Sequence, residues 1–379
     1  MAQTVEEKGA PAQKQGTSES IVRLEREQSA YAPGEVSDNI PPGSRVRVIV
    51  NPVSGKKGGL TTNPASVDDV RRVLEANGIS AEVVQTEYAG HATELATAAV
   101  REGFDVVVAC GGDGTVGETA MALIGSNVTL GILPLGSANN VARMMHVPFD
   151  LDEAARLLRL GEVRRVDVGK CNGQYFLETA GVGLDAALFP ILNKVDRGEY
   201  TRLVDVVRTF FKFRPRRMTI VLDRRALRTR ALLVLVANGP YWGYSVPLAP
   251  DAKVDDGRLD VVVFRNFSKR AFLWHVLKSL LSRGAIPDPN SPHGRNRPVY
   301  HPDIKIYRAR RVRVFTRGRP WPVHADAQPR GHTPANIEVV PGALRVITGP
   351  GEHVTTSPSA GTPRGEPPQH RLREASRPG

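Results

Sequence analysis

The chain has 379 residues, with 51 Lys or Arg against 39 Asp or Glu, which gives a formal net charge of +12. A content of 41% hydrophobic and 24% charged residues excludes a wholly disordered chain and a multi-span membrane protein. The two cysteines, Cys110 and Cys171, are too few for a disulfide scaffold and fit a reducing compartment. No apolar run approaches the roughly 18 residues that span a bilayer. We therefore expect a cytoplasmic protein of two or three domains whose positive charge favours an anionic partner: nucleic acid, a phosphorylated ligand or an anionic membrane surface.

The first part of the folded chain alternates strands with helices. Polar residues 1–43 and the Pro-, Gly- and Arg-rich residues 350–379 predict disordered termini on either side of the folded part. Hydrophobic patterns predict strands at 46–50, 81–85, 105–110 and 129–133, and helices at 67–77, 92–101 and 116–124. This succession predicts an α/β domain over 44–166 with a mostly parallel sheet between helices.

After residue 166 short strands separated by turn residues dominate. They are predicted at 175–179, 217–222, 231–237, 259–264, 304–308, 312–316 and 337–340. Two helices, at 200–213 and 268–283, and a Pro-, Asn- and Gly-rich loop at 284–298 interrupt them. The pattern predicts an antiparallel β-sandwich over 167–349, whose last segment can pack back on the first domain.

The strongest chemical signal is Gly111-Gly112-Asp113-Gly114-Thr115, between an apolar strand and a predicted helix. Glycines let the backbone approach a ligand closely, and the amides at a helix start can bind phosphate oxygens. A carboxylate in such a loop would repel phosphate unless a cation lay between them. Asp113 therefore suggests a Mg²⁺–nucleotide complex, to which the Thr115 hydroxyl would add a donor.

Two further loops of the same kind follow neighbouring strands. Residues 51–59 follow the first strand and contain Asn51, Ser54 and Gly55, and residues 133–140 contain Gly136 and Ser137. Open α/β sheets bind ligands at the carboxyl ends of their strands. Each loop alone could be a plain turn, but the three together predict a phosphate-binding edge.

These three elements, in this order and at this spacing, resemble the diacylglycerol kinase catalytic domain family. That family comprises bacterial soluble lipid kinases and is related to sphingosine and ceramide kinases. The resemblance continues through 181–186, Asn238-Gly239 and 250–260, ends near 341–344, and so covers about 44–349. Gly111–Thr115 alone is shared with NAD kinases and phosphofructokinases, whereas the full ordered set is specific to the lipid kinases.

The resemblance implies ATP as donor, a lipid hydroxyl as acceptor and an active site in a cleft between the two domains. It implies nucleotide binding by Asn51, Ser54, Gly55, Thr86, Gly111, Gly112, Asp113, Gly114, Thr115, Gly136 and Ser137. It also implies a structural Mg²⁺ held by Asp256 with the carbonyls of Lys253 and Arg258. From the residues alone, a type I turn at Asp256-Gly257 explains that segment equally well.

The catalytic residues that the resemblance implies are Asp326 and Asp113. The family carries an Asp-Gly-Glu element whose acids are proposed to take the proton of the lipid hydroxyl, and this chain reads Asp326-Ala327-Gln328. Gln328 cannot accept a proton at neutral pH. If the family's base is the first acid, Asp326 is the expected acceptor and activity should persist, whereas if it is the second, this protein is impaired or uses another group. Gly117 replaces the usual Asn and Asn140 the usual Asp, so the nucleotide site also departs from the family pattern.

Two segments that mix aromatic and basic residues, 203–214 and 272–281, indicate peripheral contact with an anionic membrane. For each segment, an ordinary helix packed on the sandwich is the alternative. The sequence thus predicts an ATP- and Mg²⁺-dependent kinase acting on a lipid hydroxyl, such as that of diacylglycerol, on the inner face of the plasma membrane. A NAD-kinase-like enzyme and a catalytically impaired nucleotide- or lipid-binding protein are the alternatives. No nucleic-acid partner is expected, and the oligomeric state cannot be read from the sequence.

Overall fold

A computed structural model describes residues 43–57, 60–61, 65–196, 198–243, 246–265 and 304–350. The helix expected at 268–283, the loop at 284–298 and nearly all of both expected disordered termini lie outside the described residues. Within the described part, no helix is both long and apolar enough to cross a membrane.

The N-terminal part is an α/β domain built on parallel strands. Its strands are β1 (Val46–Val50), β2 (Lys56–Lys57), β3 (Leu60–Thr61), β4 (Ala81–Gln85), β5 (Val106–Gly111) and β6 (Thr129–Pro134). Its helices are α1 (Val67–Ala76), α2 (His91–Arg101), α3 (Asp113–Leu123), α4 (Asn140–Met144) and α5 (Leu151–Leu160). Strands β4, β1, β5 and β6 pair in parallel in that order, and β5 and β6 are wholly buried. An entirely apolar strand is expected where helices cover both faces of a sheet.

The parallel order brings four strand ends to one edge. Val50 pairs with both Gln85 and Cys110, and Gly111 pairs with Pro134. The loops that follow β1, β4, β5 and β6 therefore start side by side. This is the edge at which the sequence predicts phosphate binding.

The C-terminal part consists of antiparallel strands, as predicted. They are β7 (Glu162–Cys171), β8 (Gln174–Phe176), β9 (Thr179–Gly183), β10 (Arg216–Leu222), β11 (Arg225–Ala237), β12 (Tyr241–Trp242), β13 (Val246–Pro247), β14 (Leu259–Arg265), β15 (Ile304–Ala309), β16 (Arg311–Thr316), β17 (Pro322–Ala325), β18 (Gln328–His332) and β19 (Ala335–Thr348). Strand β11 pairs with β9, β10 and β14, and its residues 231–237 are buried.

The two parts share one sheet because β19 is long enough to serve both. Its first half pairs with β16, its length pairs with β7, and Arg345 and Val346 pair in parallel with Thr129 and Leu130 of β6. The relative placement of the N-terminal and C-terminal parts therefore depends on main-chain hydrogen bonds rather than on a flexible linker.

Two helices cover one face of β11. They are α6 (Leu184–Asp196) and α7 (Leu203–Lys212), and a 3₁₀ turn (Tyr200–Arg202) precedes α7. Leu184 and Phe210 join Leu233 and Leu235 of β11 in one apolar cluster, whereas Val234 and Val236 face a second cluster on the other side. Alternation along the strand thus divides the C-terminal core into two layers.

The structure differs from the sequence prediction at 175–179, which is not one strand. Strand β8 ends at Phe176 and β9 begins at Thr179, so the ladder is interrupted at Leu177 and Glu178. The backbone N–H groups of residues 177–179 donate to the carboxylate of Asp326 instead of to a neighbouring strand. The hydrophobic pattern could not indicate this, because the acceptor lies almost 150 residues away.

Candidate active site

The loop after β1 is tied to the start of α3. Asn51 Nδ2 donates to Thr115 Oγ1 at 3.0 Å, and the Asn51 N–H donates to the Cys110 carbonyl at 2.9 Å. The side-chain oxygen of Asn51 accepts from the Val53 N–H at 3.1 Å, which shapes the turn that contains Ser54 and the buried Gly55. Two of the three predicted loops are therefore joined by one amide side chain.

The second loop in chain order, at 111–115, contacts the third, at 133–140, through their glycines. A Cβ on Gly136 would lie 2.5 Å from the Cα of Gly112, and one on Gly111 would lie 2.6 Å from Thr115. Asn139 fixes the third loop, since its Oδ1 accepts from the Gly136 N–H and its Nδ2 donates to the Gly136 carbonyl, both at 2.9 Å. Only glycine permits this approach of two backbones.

Asp113 is the first residue of α3, and its carboxylate caps the next helix. Its Oδ1 accepts from the Val141 N–H at 3.0 Å, and the amides of Asn139 and Asn140 contribute as well. Burial raises the pKa of Asp113 even though these amide hydrogen bonds lower it. The carboxylate thus fixes the position of the third loop relative to the second.

The remaining predicted nucleotide residues also lie at this edge. Thr86 directly follows β4, and its N–H donates to the Val50 carbonyl at 2.9 Å. Gly114 is exposed in the first turn of α3, and Ser137 is exposed in the loop after β6. The structure therefore brings all four loops together along the carboxyl ends of the parallel strands.

Asp326 lies on the opposite side, in the two-residue turn between β17 and β18. Its Oδ2 accepts from the Leu177 N–H at 2.6 Å, and its Oδ1 accepts from the N–H groups of Glu178 and Thr179 at 3.0 Å. The Asp326 N–H in turn donates to the Thr179 carbonyl at 2.9 Å. Both carboxylate oxygens of Asp326 thus bind the backbone at the interruption between strands β8 and β9.

Glu178, which the sequence analysis did not identify, connects the two sides. Its Oε2 accepts from Asn140 Nδ2 at 2.8 Å, and Asn140 also donates to the Gly243 carbonyl at 2.7 Å. The backbone of Glu178 donates to Asp326 and accepts from the Asn238 N–H at 2.9 Å. One residue therefore contacts the third glycine loop through its side chain and Asp326 through its main chain.

Three carboxylates, Asp113, Glu178 and Asp326, consequently lie close together between the glycine loops and the β17–β18 turn, a region called the cleft below. Burial and the negative charges of Asp113 and Asp326 raise the pKa of Glu178 well above its ordinary value. Burial also raises the pKa of Asp326, against the lowering effect of its three amide donors and of His324. Protonation of one of these acids, or a cation beside them, would relieve their mutual repulsion.

A buried pair supports the β9–β17 contact from behind. His324 Nε2 and Asp185 Oδ2 lie 2.5 Å apart, and both side chains are almost fully buried. A Cβ on Gly181 would lie 2.2 Å from each of them, so the 181–186 element needs glycine there. This packing places β17, and hence Asp326, against β9.

The predicted Mg²⁺ segment is a turn that Asp167 anchors. Asp167 accepts from the Gly257 N–H at 2.6 Å and from the Gly342 N–H at 2.9 Å, and Asp256 Oδ1 accepts from the Arg258 N–H at 3.0 Å. Burial and the charges of Asp256 and Asp255 raise the pKa of Asp167 to about 6. Among the described residues no group of three or more His, Cys, Asp or Glu side chains could hold a metal ion, so any cation here needs carbonyl ligands.

Glu178 and Asp167 are the functional candidates that sequence reasoning missed. Each is a single acid between two residues that are buried in the structure. Glu178 lies between Leu177 and Thr179, and Asp167 lies between Val166 and Val168. An acid at such a position requires a specific partner, because burying an unpaired charge is strongly unfavourable.

Comparisons with known proteins agree with this architecture. Residues 45–171 match the diacylglycerol kinase catalytic domain, and residues 179–348 match the YegS C-terminal NAD kinase beta sandwich-like domain. A diacylglycerol kinase of Bacillus subtilis (strain 168) is 30% identical over 235 residues, which cover 60% of this chain and 76% of that protein. This chain belongs to the diacylglycerol kinase family.

Further relatives of the family match over most of their length. A diacylglycerol kinase of Staphylococcus saprophyticus is 29% identical over 318 residues, covering 80% of this chain and 95% of that protein. The crystal structure of a diacylglycerol kinase from Bacillus anthracis is 26% identical, covers 82% of this chain and 99% of that one, and superposes with a TM-score of 0.60. Family membership supports a kinase of the lipid-kinase type.

Proposed function

We propose that this protein is an ATP- and Mg²⁺-dependent kinase that phosphorylates the hydroxyl of diacylglycerol or a related lipid. The observation that carries the proposal is the continuity of the cleft: glycine loops on one side are joined to acids on the other through the Asn140–Glu178 hydrogen bond. In such an enzyme, catalysis consists mainly of positioning and of stabilising charge on the transferred phosphoryl group.

The N-terminal loops supply the binding side. Gly112 and Gly136 bring the backbones at two neighbouring strand ends together, and a phosphate chain would bind along them. Amides at the start of α3 would donate to its oxygens, assisted by Thr115 and Ser137. Asp113 and the other acids favour a nucleotide that arrives with Mg²⁺, which when bound neutralises charge developing on the γ-phosphate.

A second Mg²⁺ would have a structural role near Asp256. The carboxylates of Asp167, Asp255 and Asp256 lie close enough for the charges of the latter two to raise the pKa of the first. Mg²⁺ prefers oxygen ligands, and the Asp256 carboxylate with the carbonyls of Lys253 and Arg258 provides them. The turn at Asp256-Gly257 and the cation site are therefore compatible within one segment.

Helix α7 offers a surface for an anionic lipid bilayer. Val204 is 71% exposed and Phe211 is 64% exposed, and no residue of the helix is buried. Arg208 and Lys212 are exposed beside them, and residues at this spacing share one helix face. Apolar side chains flanked by cations suit the interface of an anionic membrane, which is where a lipid substrate resides.

Vesicle sedimentation tests the membrane surface. Wild-type protein should pellet with vesicles containing phosphatidylglycerol and less with pure phosphatidylcholine, and added salt should weaken the binding. Val204→Asp and Phe211→Asp should reduce the pelleted fraction, whereas Leu160→Asp, at an exposed apolar site on α5, should not. Equal binding by all variants would exclude α7 as the contact.

The kinase proposal is tested by phosphoryl transfer from γ-labelled ATP. The protein is incubated with ATP, MgCl₂ and detergent-dispersed diacylglycerol, and in parallel with a total lipid extract or with NAD. We expect labelled lipid, and a loss of about a hundredfold or more in Asp113→Ala, with thermal unfolding recorded because Asp113 also caps α4.

The other outcomes identify the alternatives. Label in NAD rather than in lipid would indicate a NAD-kinase-like enzyme. Nucleotide binding without transfer to any acceptor would indicate a binding protein. Full activity of both Asp113→Ala and Asp326→Asn would indicate that the transfer uses another site.

A further inference from the structure

We propose that Glu178 removes the proton from the lipid hydroxyl, with Asn140 orienting its carboxylate and Asp326 fixing its main chain. This inference rests on the proposed function and names the residue that carries out its central proton transfer. It assigns to Glu178 the role that the sequence led us to expect for Asp326.

The hydrogen bonds of the three cleft acids distinguish their roles. Asp326 receives three backbone N–H groups on its two oxygens, and Asp113 receives the amides at the start of α4. A carboxylate that accepts several amide bonds is held by them in a fixed orientation, and this holds for both acids although burial raises their pKa values. Taking up a proton would cost these two acids the contacts that hold the cleft together.

Glu178 is constrained differently. Within the described residues, its carboxylate makes one side-chain hydrogen bond, from Asn140 Nδ2 to Oε2. Its backbone is fixed on both sides, by Asp326 and by the Asn238 N–H. The residue is partly exposed, whereas its neighbours Leu177 and Thr179 are buried. The result is an oriented carboxylate with acceptor capacity to spare.

The electrostatic surroundings of Glu178 suit a proton acceptor. The titratable groups that act on it are Asp113 from α3 and Asp326 from the β17–β18 turn, with His324 beyond Asp326. The two acids and burial raise the pKa of Glu178, which makes it a stronger base than an exposed glutamate. A general base is most effective when its pKa lies near the working pH.

Residue 328 cannot take this role. Gln328 begins β18 and is exposed, and its amide has no basic site at neutral pH. Glu178 lies instead at the other end of the Asp326 hydrogen bonds, one residue before β9. Glu178, just before β9, thus supplies the carboxylate that residue 328 lacks.

The transfer step balances without any further reactant. The O–H bond of the lipid hydroxyl breaks, and its proton passes to the free oxygen of Glu178. The oxygen forms a bond to the γ-phosphorus of ATP, while the bond from that phosphorus to the bridging β,γ-oxygen breaks and ADP leaves with the electron pair. The proton then returns from Glu178 to solvent.

The test compares Glu178→Gln, Glu178→Asp and the exposed-site control Glu153→Gln in the labelled-ATP assay across pH 5–9. Glutamine keeps an oxygen for Asn140 but cannot take a proton, so kcat should fall about 10²- to 10⁴-fold with little change in the KM for ATP. The wild-type rate should rise with pH through the pKa of Glu178 and then level off. Glu178→Gln should lose that rise, and Glu178→Asp should keep it at an intermediate rate.

The outcomes separate this inference from the proposed function. If the wild type phosphorylates lipid and Glu178→Gln stays within about threefold of it, or keeps the acidic limb of the pH profile, the inference is overturned while the kinase assignment stands. If the wild type transfers phosphate to no lipid, both are overturned. Unfolding midpoints and ATP dissociation constants for every variant exclude a loss caused by misfolding.

Discussion

The two sides of the cleft are built by different means. The N-terminal side consists of backbone, brought together where glycines follow neighbouring parallel strands, as at Gly112 and Gly136. The C-terminal side consists of carboxylates held by contacts between residues far apart in sequence, as between Asp326 and residues 177–179. A site made of backbone is encoded in short motifs, whereas a site made of side chains depends on how distant strands meet.

The largest effect should come from adding a methyl group to the backbone side. In Gly136→Ala the new Cβ would lie 2.5 Å from Gly112 Cα and 2.6 Å from Asn139 Oδ1, so two loops must separate. We expect a loss of about 3 kcal/mol in the free energy of unfolding and loss of measurable ATP binding by calorimetry.

Gly117 provides the matched control for that substitution. It lies inside α3, where a Cβ would meet nothing within 4 Å. Gly117→Ala should stabilise the protein by about 0.5–1 kcal/mol, because alanine loses less conformational freedom in a helix. Equal behaviour of the two variants would contradict the close contact of the loops.

On the carboxylate side, Asp326→Asn should have the next largest effect. An asparagine offers one acceptor oxygen, and its NH₂ group would face a backbone N–H that now donates to the carboxylate. Leaving such a donor without a partner should lower the free energy of unfolding by about 2 kcal/mol, measured by urea denaturation. Glu178→Gln serves as the contrast, since it should lower activity with little change in stability.

Mg²⁺ should stabilise the C-terminal turn by a smaller amount. At ten times its dissociation constant, the cation should add about 1.4 kcal/mol to the free energy of unfolding, visible as a rise in the thermal midpoint. Asp256→Asn should abolish the rise and Asp255→Asn should retain it, although both remove one charge. A rise that survives Asp256→Asn would place the cation elsewhere.

The smallest effect concerns the turn that carries Asp326. Asp326 and Ala327 have φ values of 43° and 59°, as a two-residue hairpin turn requires. Alanine is disfavoured in this left-handed region, so Ala327→Gly should raise the free energy of unfolding by about 0.5–1 kcal/mol. A lower free energy of unfolding for Ala327→Gly, measured by urea denaturation, would show that the turn does not carry this strain.

The sequence by itself determined the parallel strands, the three glycine loops and the family. Strands β1 and β4 have the predicted bounds, β5 is displaced by one residue at both ends, and β6 extends one residue further than predicted. These features depend on nearest neighbours along the chain, since apolar runs form buried strands and glycine alone fits the bends between them. The resemblance also identified Asp326 as a residue of the cleft, because its motif is local.

Only the tertiary structure decided which acids meet at the candidate site. Glu178 and Asp326 are separated by 148 residues, and they meet because β17 pairs with β9 beside a buried His324–Asp185 contact. The same meeting interrupts the strand expected at 175–179 and engages both carboxylate oxygens of Asp326. Hydrophobic periodicity predicts which residues are buried, but it does not predict which distant residue forms hydrogen bonds with them. Here the bonds between Asp326 and residues 177–179 determine which acids meet.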